Sequence, residues 1–268
     1  MTLAIGVDIG ATKTAAVLVD VTDGRVVRRA QRPTPRRAAE VVMACRSLVG
    51  EMADADHPVG LAVCELVDLG GHIVGGAAID FAGVDLPTAV GGATLESDVR
   101  AAAIAEARFG RAFGSHAAVV VAAGTGVSAC LLIDGEPYRG AHGHALLLGA
   151  PLVQREASGE AIARQARAAG VDPHDESAAM ETIRAEAGTR LGTAIAWLIN
   201  ALDPDTVILG GGLAGVPAFA SAAIDEARRA MESIPGVHRR IEVSALGPDA
   251  AAVGAALVAA DRHGDRYR

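Results

Sequence analysis

The 268-residue sequence is poor in basic residues, aromatic residues and long apolar runs, and each shortage excludes a class of protein. Its 24 basic side chains are outnumbered by 32 acidic ones, so the net charge is −8 and no nucleic-acid or anionic-membrane partner is expected. No apolar run approaches the ~18 residues that a membrane span requires. The first apolar stretch contains Asp8 and follows no basic leader, so no signal peptide is predicted.

Cysteine and lysine are also scarce. The three cysteines, Cys45, Cys64 and Cys130, are odd in number and widely spaced, which predicts reduced thiols in a cytoplasmic protein and no disulfide framework or Cys-x-x-Cys zinc site. The single lysine, Lys13, lies in a Gly/Thr-rich turn, where a compact ammonium can act on a ligand as a guanidinium cannot. The length and the 51% apolar content predict one large or two modest globular domains.

A pattern of strand, glycine turn, strand and Asp-Gly turn occurs twice, about half a chain apart. The strands are predicted over residues 3–9 and 14–21 in the first copy and over 116–123 and 127–133 in the second. The recurrence predicts an internal duplication, with domains at 1–113 and 114–268. The last predicted helix, 250–261, is expected to pack back on the first domain.

Hydrophobic periodicity, caps and turn residues predict the remaining elements. Further strands are predicted over 25–29, 59–63, 206–209 and 241–244, and helices over 38–53, 97–109, 157–169, 178–202 and 217–231. Trp197 shares helical spacing with nearby leucines and isoleucines, so it is expected in the core. The arginine-rich tail, 261–268, is expected to fray.

Three glycine-containing loops are candidate anion sites. They are Gly10-Ala11-Thr12-Lys13, Gly124-Thr125-Gly126 and Gly210-Gly211-Gly212. The first two join strands, so they are neither a Walker loop nor a dinucleotide-binding loop, but their backbone N–H groups can form a concavity for phosphate. The third follows a strand and is expected to open a helix, whose N-terminus favours anions. Each turn alone can be an ordinary hairpin, whereas the three together predict a polyphosphate held from two sides.

Asp8 lies beside the first turn, and its charge bears on that interpretation. A carboxylate next to phosphate is repulsive unless a cation lies between them. Asp8 therefore predicts a Mg²⁺ ion, bound through water.

At these residues the chain resembles the ROK family of sugar kinases, within the actin-like, hexokinase-like ATPase superfamily. The similar segments are Gly6–Lys13, Leu95–Ala103, Ala123–Gly126, Leu202–Gly212 and Leu246–Ala256. The resemblance implies an α/β fold of two actin-like (ribonuclease H-like) lobes with a nucleotide cleft between them, ATP and Mg²⁺ as cofactors, and a homodimer. The segment Glu96-Ser97-Asp98 resembles the family's Glu-Asn-Asp motif, which gives Asp98 the role of catalytic base.

The local sequence also supports the role of Asp98 as a catalytic base. It lies at a predicted helix N-terminus, where the helix dipole is expected to keep a carboxylate ionised. An ionised carboxylate can orient or accept the proton of an attacking hydroxyl during phosphoryl transfer. Without the surrounding motif, an ordinary helix N-cap is the favoured explanation of Asp98, whereas the motif favours the catalytic role.

The chain departs from the family pattern at the positions that would bind the phosphoryl acceptor. Ser97 replaces an Asn, Cys64-Glu65 replaces a Pro-Gly, Leu147 and Ala150 stand where a Glu and a His contact the sugar, and the zinc cluster is missing. Glu156 matches the family's second sugar-binding Glu. The lost contacts represent about 3–6 kcal/mol, a hundredfold or more in affinity. The acceptor is therefore expected to be a modified sugar or cyclitol in preference to glucose. A non-catalytic nucleotide-binding protein with a decayed acceptor site is the alternative.

Overall fold

The structure is a computed structural model that describes residues 2–52, 56–75, 78–145 and 151–265. The chain forms two compact units. Unit 1 comprises Met1–Gly110, Pro137–Ala145 and Asp249–Arg268, and unit 2 comprises Arg111–Glu136 and Leu146–Pro248. Two segments from the second half of the sequence therefore belong to unit 1.

Unit 1 is built on a five-stranded sheet. Its strands are β1 (Leu3–Ile9), β2 (Lys13–Asp20), β3 (Arg25–Pro33), β4 (Val59–Val63) and β7 (Thr94–Ser97), and β5 (Leu66–Val67) pairs with β6 (Ile73–Gly75) as a small hairpin. The order in the large sheet is β3-β2-β1-β4-β7. β1 is antiparallel to β2 and parallel to β4, which is parallel to β7. The helices are α1 (Ala38–Met52), α2 (Leu86–Ala89), α3 (Asp98–Phe109) and α8 (Ala250–Asp265).

Unit 2 repeats this sheet. Its strands are β8 (Ala117–Ala123), β9 (Val127–Ile133), β10 (Glu136–Pro137), β11 (Thr206–Gly210) and β12 (Arg240–Val243), and its helices are α4 (Pro151–Ala157), α5 (Gly159–Ala168), α6 (Ala178–Leu202) and α7 (Pro217–Ala230). The order is β10-β9-β8-β11-β12, with β8 antiparallel to β9 and parallel to β11. The two sheets therefore share one strand order, as the repeated sequence pattern predicts.

Helix α8 lies in backbone contact with the sheet of unit 1. A Cβ atom at Gly6 in β1 would collide with the carbonyl of Ala252, and one at Gly60 in β4 with that of Ala255. On its other side, a Cβ atom at Gly254 would collide with the carbonyl of Ala101 in α3. These glycines set the distance at which α8 packs between the sheet and α3.

Most predicted elements are present. The helix predicted over 157–169 is α5, Gly159–Ala168, and Ser158 caps its start, with Oγ accepting a hydrogen bond from the N–H of Ala161 at 3.1 Å. Two expectations are wrong. Trp197 is 75% exposed, since it follows the buried Ile195 by two positions, about 200° around the helix. The tail continues α8 through Asp265 instead of fraying from residue 261. Among the described residues, no helix has the length and apolar character that crossing a bilayer requires.

Candidate active site

The first glycine turn connects β1 and β2 and is held closed by hydrogen bonds. The N–H of Gly10 donates to the carbonyl of Lys13 at 3.0 Å. Thr34, just after β3, braces the turn, since its Oγ1 donates to the carbonyl of Gly10 at 2.7 Å and its N–H to that of Thr12 at 3.1 Å. The N–H of Gly10 is therefore used within the hairpin, and Ala11 and Thr12 form the tip, with Thr12 exposed.

Three carboxylates lie at one edge of the unit 1 sheet. Ile9 of β1 pairs with Val63 of β4, which pairs with Ser97 of β7. Asp8, Glu65 and Asp98 thus lie near the carboxyl ends of three adjacent parallel strands. This is the edge at which open α/β sheets bind ligands.

Asp98 is half-buried at the first position of α3. Its Oδ1 accepts a hydrogen bond from the N–H of Val99 at 2.6 Å. The pKa of Asp98 is raised to about 6, chiefly by burial and also by the charge of Glu65, against the lowering effects of the Val99 hydrogen bond and of Arg100. Desolvation is the largest of these effects, and it opposes the ionised form that the helix N-terminus favours. The N-cap alternative also fails for Asp98, since Ser97 occupies the N-cap position.

Asp8 is affected even more strongly by its surroundings. Its pKa is raised to about 7, chiefly by burial and also by the charges of Asp98 and Asp249, against the lowering effect of Lys13. The structure thus brings Asp8, Lys13 and Asp98 close enough to interact. A carboxylate with like charges nearby is one that a bound cation would stabilise.

The second turn, in unit 2, packs against the start of helix α5. The N–H of Gly124 donates to the carbonyl of Gly126 at 2.8 Å, and the N–H of Gly159 donates to the carbonyl of Gly124 at 2.7 Å. The side chain of Gln154 accepts from the N–H of Val127 at 2.9 Å. Neither Gln154 nor the start of α5 was predicted as part of this site, although Ser158 followed by Gly159 and Glu160 is a recognisable helix start.

The third glycine run lies against the end of β8. Gly211 has a φ of +82°, and a Cβ atom there would collide with the carbonyl of Ala123. The structure therefore brings the second and third predicted glycine loops together. Gly212 opens a short 3₁₀ turn, Gly212–Gly215, and α7 follows at Pro217, where the sequence predicts the next helix to begin.

Replacing Gly211 with alanine should damage this part of unit 2. The left-handed φ and the collision with Ala123 together should cost about 2–4 kcal/mol of unfolding free energy. The matched control is Gly212→Ala, because a Cβ at Gly212 meets no atom within 4 Å. Urea unfolding of both variants checks the difference, and equal losses would contradict it.

The predicted acceptor residues are described only in part. Ser97 is buried at the end of β7, next to Asp98. Glu156 lies in unit 2, exposed, with its Oε2 3.5 Å from Nε of Arg190. Leu147 and Ala150 lie outside the described residues. Within the described ranges, no three His, Cys, Asp or Glu side chains form a group that could hold a metal ion by themselves.

Two curated proteins are similar to this chain in sequence. The bifunctional enzyme NanE/NanK of Brucella melitensis is 31% identical over 94% of this chain and 53% of its own length, and the glucokinase of Streptomyces coelicolor is 34% identical over 56% of this chain and 49% of its own length. The chain thus spans about half the length of these two curated relatives.

Solved structures confirm the two-lobe actin-like fold. A ROK glucokinase from Streptomyces griseus, in complex with glucose and AMPPNP, superimposes with a TM-score of 0.87 at 26% identity, covering 97% of this chain and 99% of that one. A ROK hexokinase from Thermus thermophilus gives a TM-score of 0.74 at 26% identity, over 98% and 100% of the two chains. The sequence model of the ROK family matches residues 4–262, so this chain belongs to the ROK family.

Proposed function

We propose that this chain is an ATP-dependent kinase that transfers the γ-phosphoryl group to a hydroxyl of a sugar or a sugar-like polyol. The observation that carries the proposal is the placement of Asp98 at the same sheet edge as Asp8 and Lys13, beside the first glycine turn. The relatives that it resembles include glucokinases, and the Streptomyces griseus glucokinase binds glucose and AMPPNP. We also propose that the enzyme is a homodimer, by resemblance to the family.

Three loops are assigned to ATP. In unit 1, Thr12 and Lys13 offer a hydroxyl and an ammonium at the first turn. In unit 2, the turn Gly124–Gly126 and the run Gly210–Gly212 lie together, and the N-terminus of α5 adds its helix dipole beside them. Backbone N–H groups fixed in this way can stabilise the charge on a transferring phosphoryl group without reorganising.

The residues present fit a magnesium ion. Asp8 is a half-buried carboxylate with like charges around it, and a Mg²⁺ ion commonly takes only one or two carboxylates, with its other positions filled by water and phosphate oxygens. Asp8 would hold the ion, which would neutralise charge on the phosphates.

Asp98 is assigned as the base. Val99 holds Oδ1, so we assign Oδ2 to the acceptor hydroxyl. As the hydroxyl oxygen bonds to the γ-phosphorus, the bond from that phosphorus to the bridging oxygen breaks, ADP leaves, and the hydroxyl proton passes to Oδ2. A pKa of about 6 leaves Asp98 ionised at neutral pH yet basic enough to take this proton.

We expect the best acceptor to exceed glucose by about a hundredfold or more in kcat/KM, because Ser97 and the departures at Leu147 and Ala150 remove polar contacts that a hexose would use. The experiment measures ADP formation with glucose, 2-deoxyglucose, N-acetylmannosamine and myo-inositol, with Asp98→Asn as the blank. A wide advantage for glucose would refute the acceptor assignment.

The second candidate is a nucleotide-binding protein without kinase activity, favoured by the altered acceptor residues. It predicts AMPPNP binding by calorimetry together with ADP formation no faster than that of Asp98→Asn. A rate well above that blank for any acceptor removes this candidate.

A further inference from the structure

One segment of the chain crosses into unit 1 from a stretch that otherwise belongs to unit 2. We name Pro137–Ala145 the crossing segment, since residues on both sides of it are part of unit 2. Its last residue, Ala145, precedes the altered acceptor positions Leu147 and Ala150 by two and five residues. How this segment is held therefore bears on the acceptor site.

A buried carboxylate holds the crossing segment. Glu96, in β7, is 2% exposed. Its Oε1 accepts from the N–H of Ser97 at 2.8 Å and from Nε of Arg100 at 2.6 Å, and its Oε2 lies 2.6 Å from Nη2 of Arg139 in the crossing segment. Two guanidinium groups and one backbone amide thus surround one carboxylate. Such charge-assisted bonds are short and directional.

Arg100 extends the same network. It is 7% exposed, and its Nη1 donates to the carbonyl of Gly143 at 2.6 Å while its Nη2 donates to the carbonyl of Val67 at 2.8 Å. One side chain therefore joins α3, β5 and the crossing segment. Gly143 has a φ of +81°, and a Cβ there would come within 3.0 Å of the backbone of Asp68, so the segment lies directly on the chain that follows β5.

In the sequence, Asp98 lies midway between Glu96 and Arg100, two members of this network. Glu96 precedes it by two residues, Arg100 follows it by two, and both side chains are anchored on groups distant in the chain. The backbone on either side of Asp98 is fixed accordingly. A displacement of about 1 Å in a reacting group can cost roughly a hundredfold in rate, so the network is well placed to influence catalysis.

We propose that Glu96, Arg100 and Arg139 are positioning residues that hold Asp98 and the crossing segment in the arrangement needed by the acceptor. The proposal rests on the proposed kinase function, and the three residues are not assigned contact with ATP. Loss of Arg139 should therefore weaken the use of the acceptor and leave the use of ATP unchanged.

The test replaces Arg139, which is partly exposed, so that the buried Glu96–Arg100 pair and the fold are retained. Arg139→Met should lower kcat/KM for the acceptor about 10- to 100-fold, measured with N-acetylmannosamine, glucose and myo-inositol, while the KM for ATP stays within twofold. Arg139→Lys should recover part of the loss because it keeps the charge. The matched control is Arg108→Met, which removes an exposed ion pair of α3 with Asp261 and should change neither constant.

The outcomes separate this proposal from the proposed function. Unchanged acceptor constants in Arg139→Met, with an active wild type, would overturn the positioning role and leave the kinase assignment intact. A parallel rise in both KM values would also overturn it, because general damage would explain the loss. No ADP from the wild type with any of the three acceptors would overturn the kinase function, and this proposal with it.

Discussion

Replacing Asp98 with asparagine should reduce turnover by about 10²- to 10⁴-fold while making the ligand-free protein more stable. The amide cannot accept the hydroxyl proton, although its oxygen can still accept from the N–H of Val99. Burial disfavours the carboxylate, so its removal should raise the free energy of unfolding at pH 8 by about 2 kcal/mol. Steady-state ADP formation and urea unfolding measure the two effects.

The pH dependence provides the control for this prediction. Because the pKa of Asp98 is raised to about 6 in the folded protein, activity should rise with pH through about 6 and then level off. Stability contributed by the protonated form is fully present below about pH 4 and is lost as pH rises through 6, so the advantage of Asp98→Asn should shrink on acidification from pH 8 to pH 5. A purely structural aspartate would instead give a variant that is less stable at both pH values.

Replacing Gly254 with alanine should destabilise unit 1 by about 3 kcal/mol or more. Alanine normally stabilises a helix relative to glycine, but the new methyl group would collide with the carbonyl of Ala101, a backbone atom that cannot move aside locally. Chemical denaturation with a far-UV circular dichroism readout measures the loss.

Gly50→Ala is the matched control for that substitution. Gly50 also lies in a helix, α1, and a Cβ there meets no atom within 4 Å. The control should gain about 0.5 kcal/mol. If both variants gained stability, the close packing of α8 against α3 would be contradicted.

Local sequence patterns were sufficient for much of the fold. The strands 59–63 and 127–133 and the helix 178–202 were predicted with the observed bounds, because each combines a clear period with turn residues or caps at its ends. β7 was missed, since Thr94–Ser97 is only four residues long and three of the four are polar. Trp197 was misplaced because its spacing from the nearby leucines and isoleucines is only approximately helical, and it lies on the face of the helix opposite the buried Ile195.

The chemistry of the site depends on contacts that no local pattern contains. Asp98 was found from its motif, but the raised pKa follows from burial and from Glu65, which reaches the same edge through a neighbouring strand. The partners of Arg100 are also distant, since Val67 and Gly143 are 33 and 43 residues away in the chain. The sequence spacing of Glu96 and Arg100 predicts only an ordinary i, i+4 ion pair, not these distant partners.

The position of α8 has a consequence for biosynthesis. The central strands β1 and β4 are translated within the first 63 residues, yet the helix that covers them is encoded after residue 249. During synthesis on the ribosome, one apolar face of the unit 1 sheet therefore remains uncovered until nearly all of unit 2 has been synthesised. Unit 2 holds its own core in the continuous stretches 111–136 and 146–248, so it can complete its folding before the lobe that is translated first.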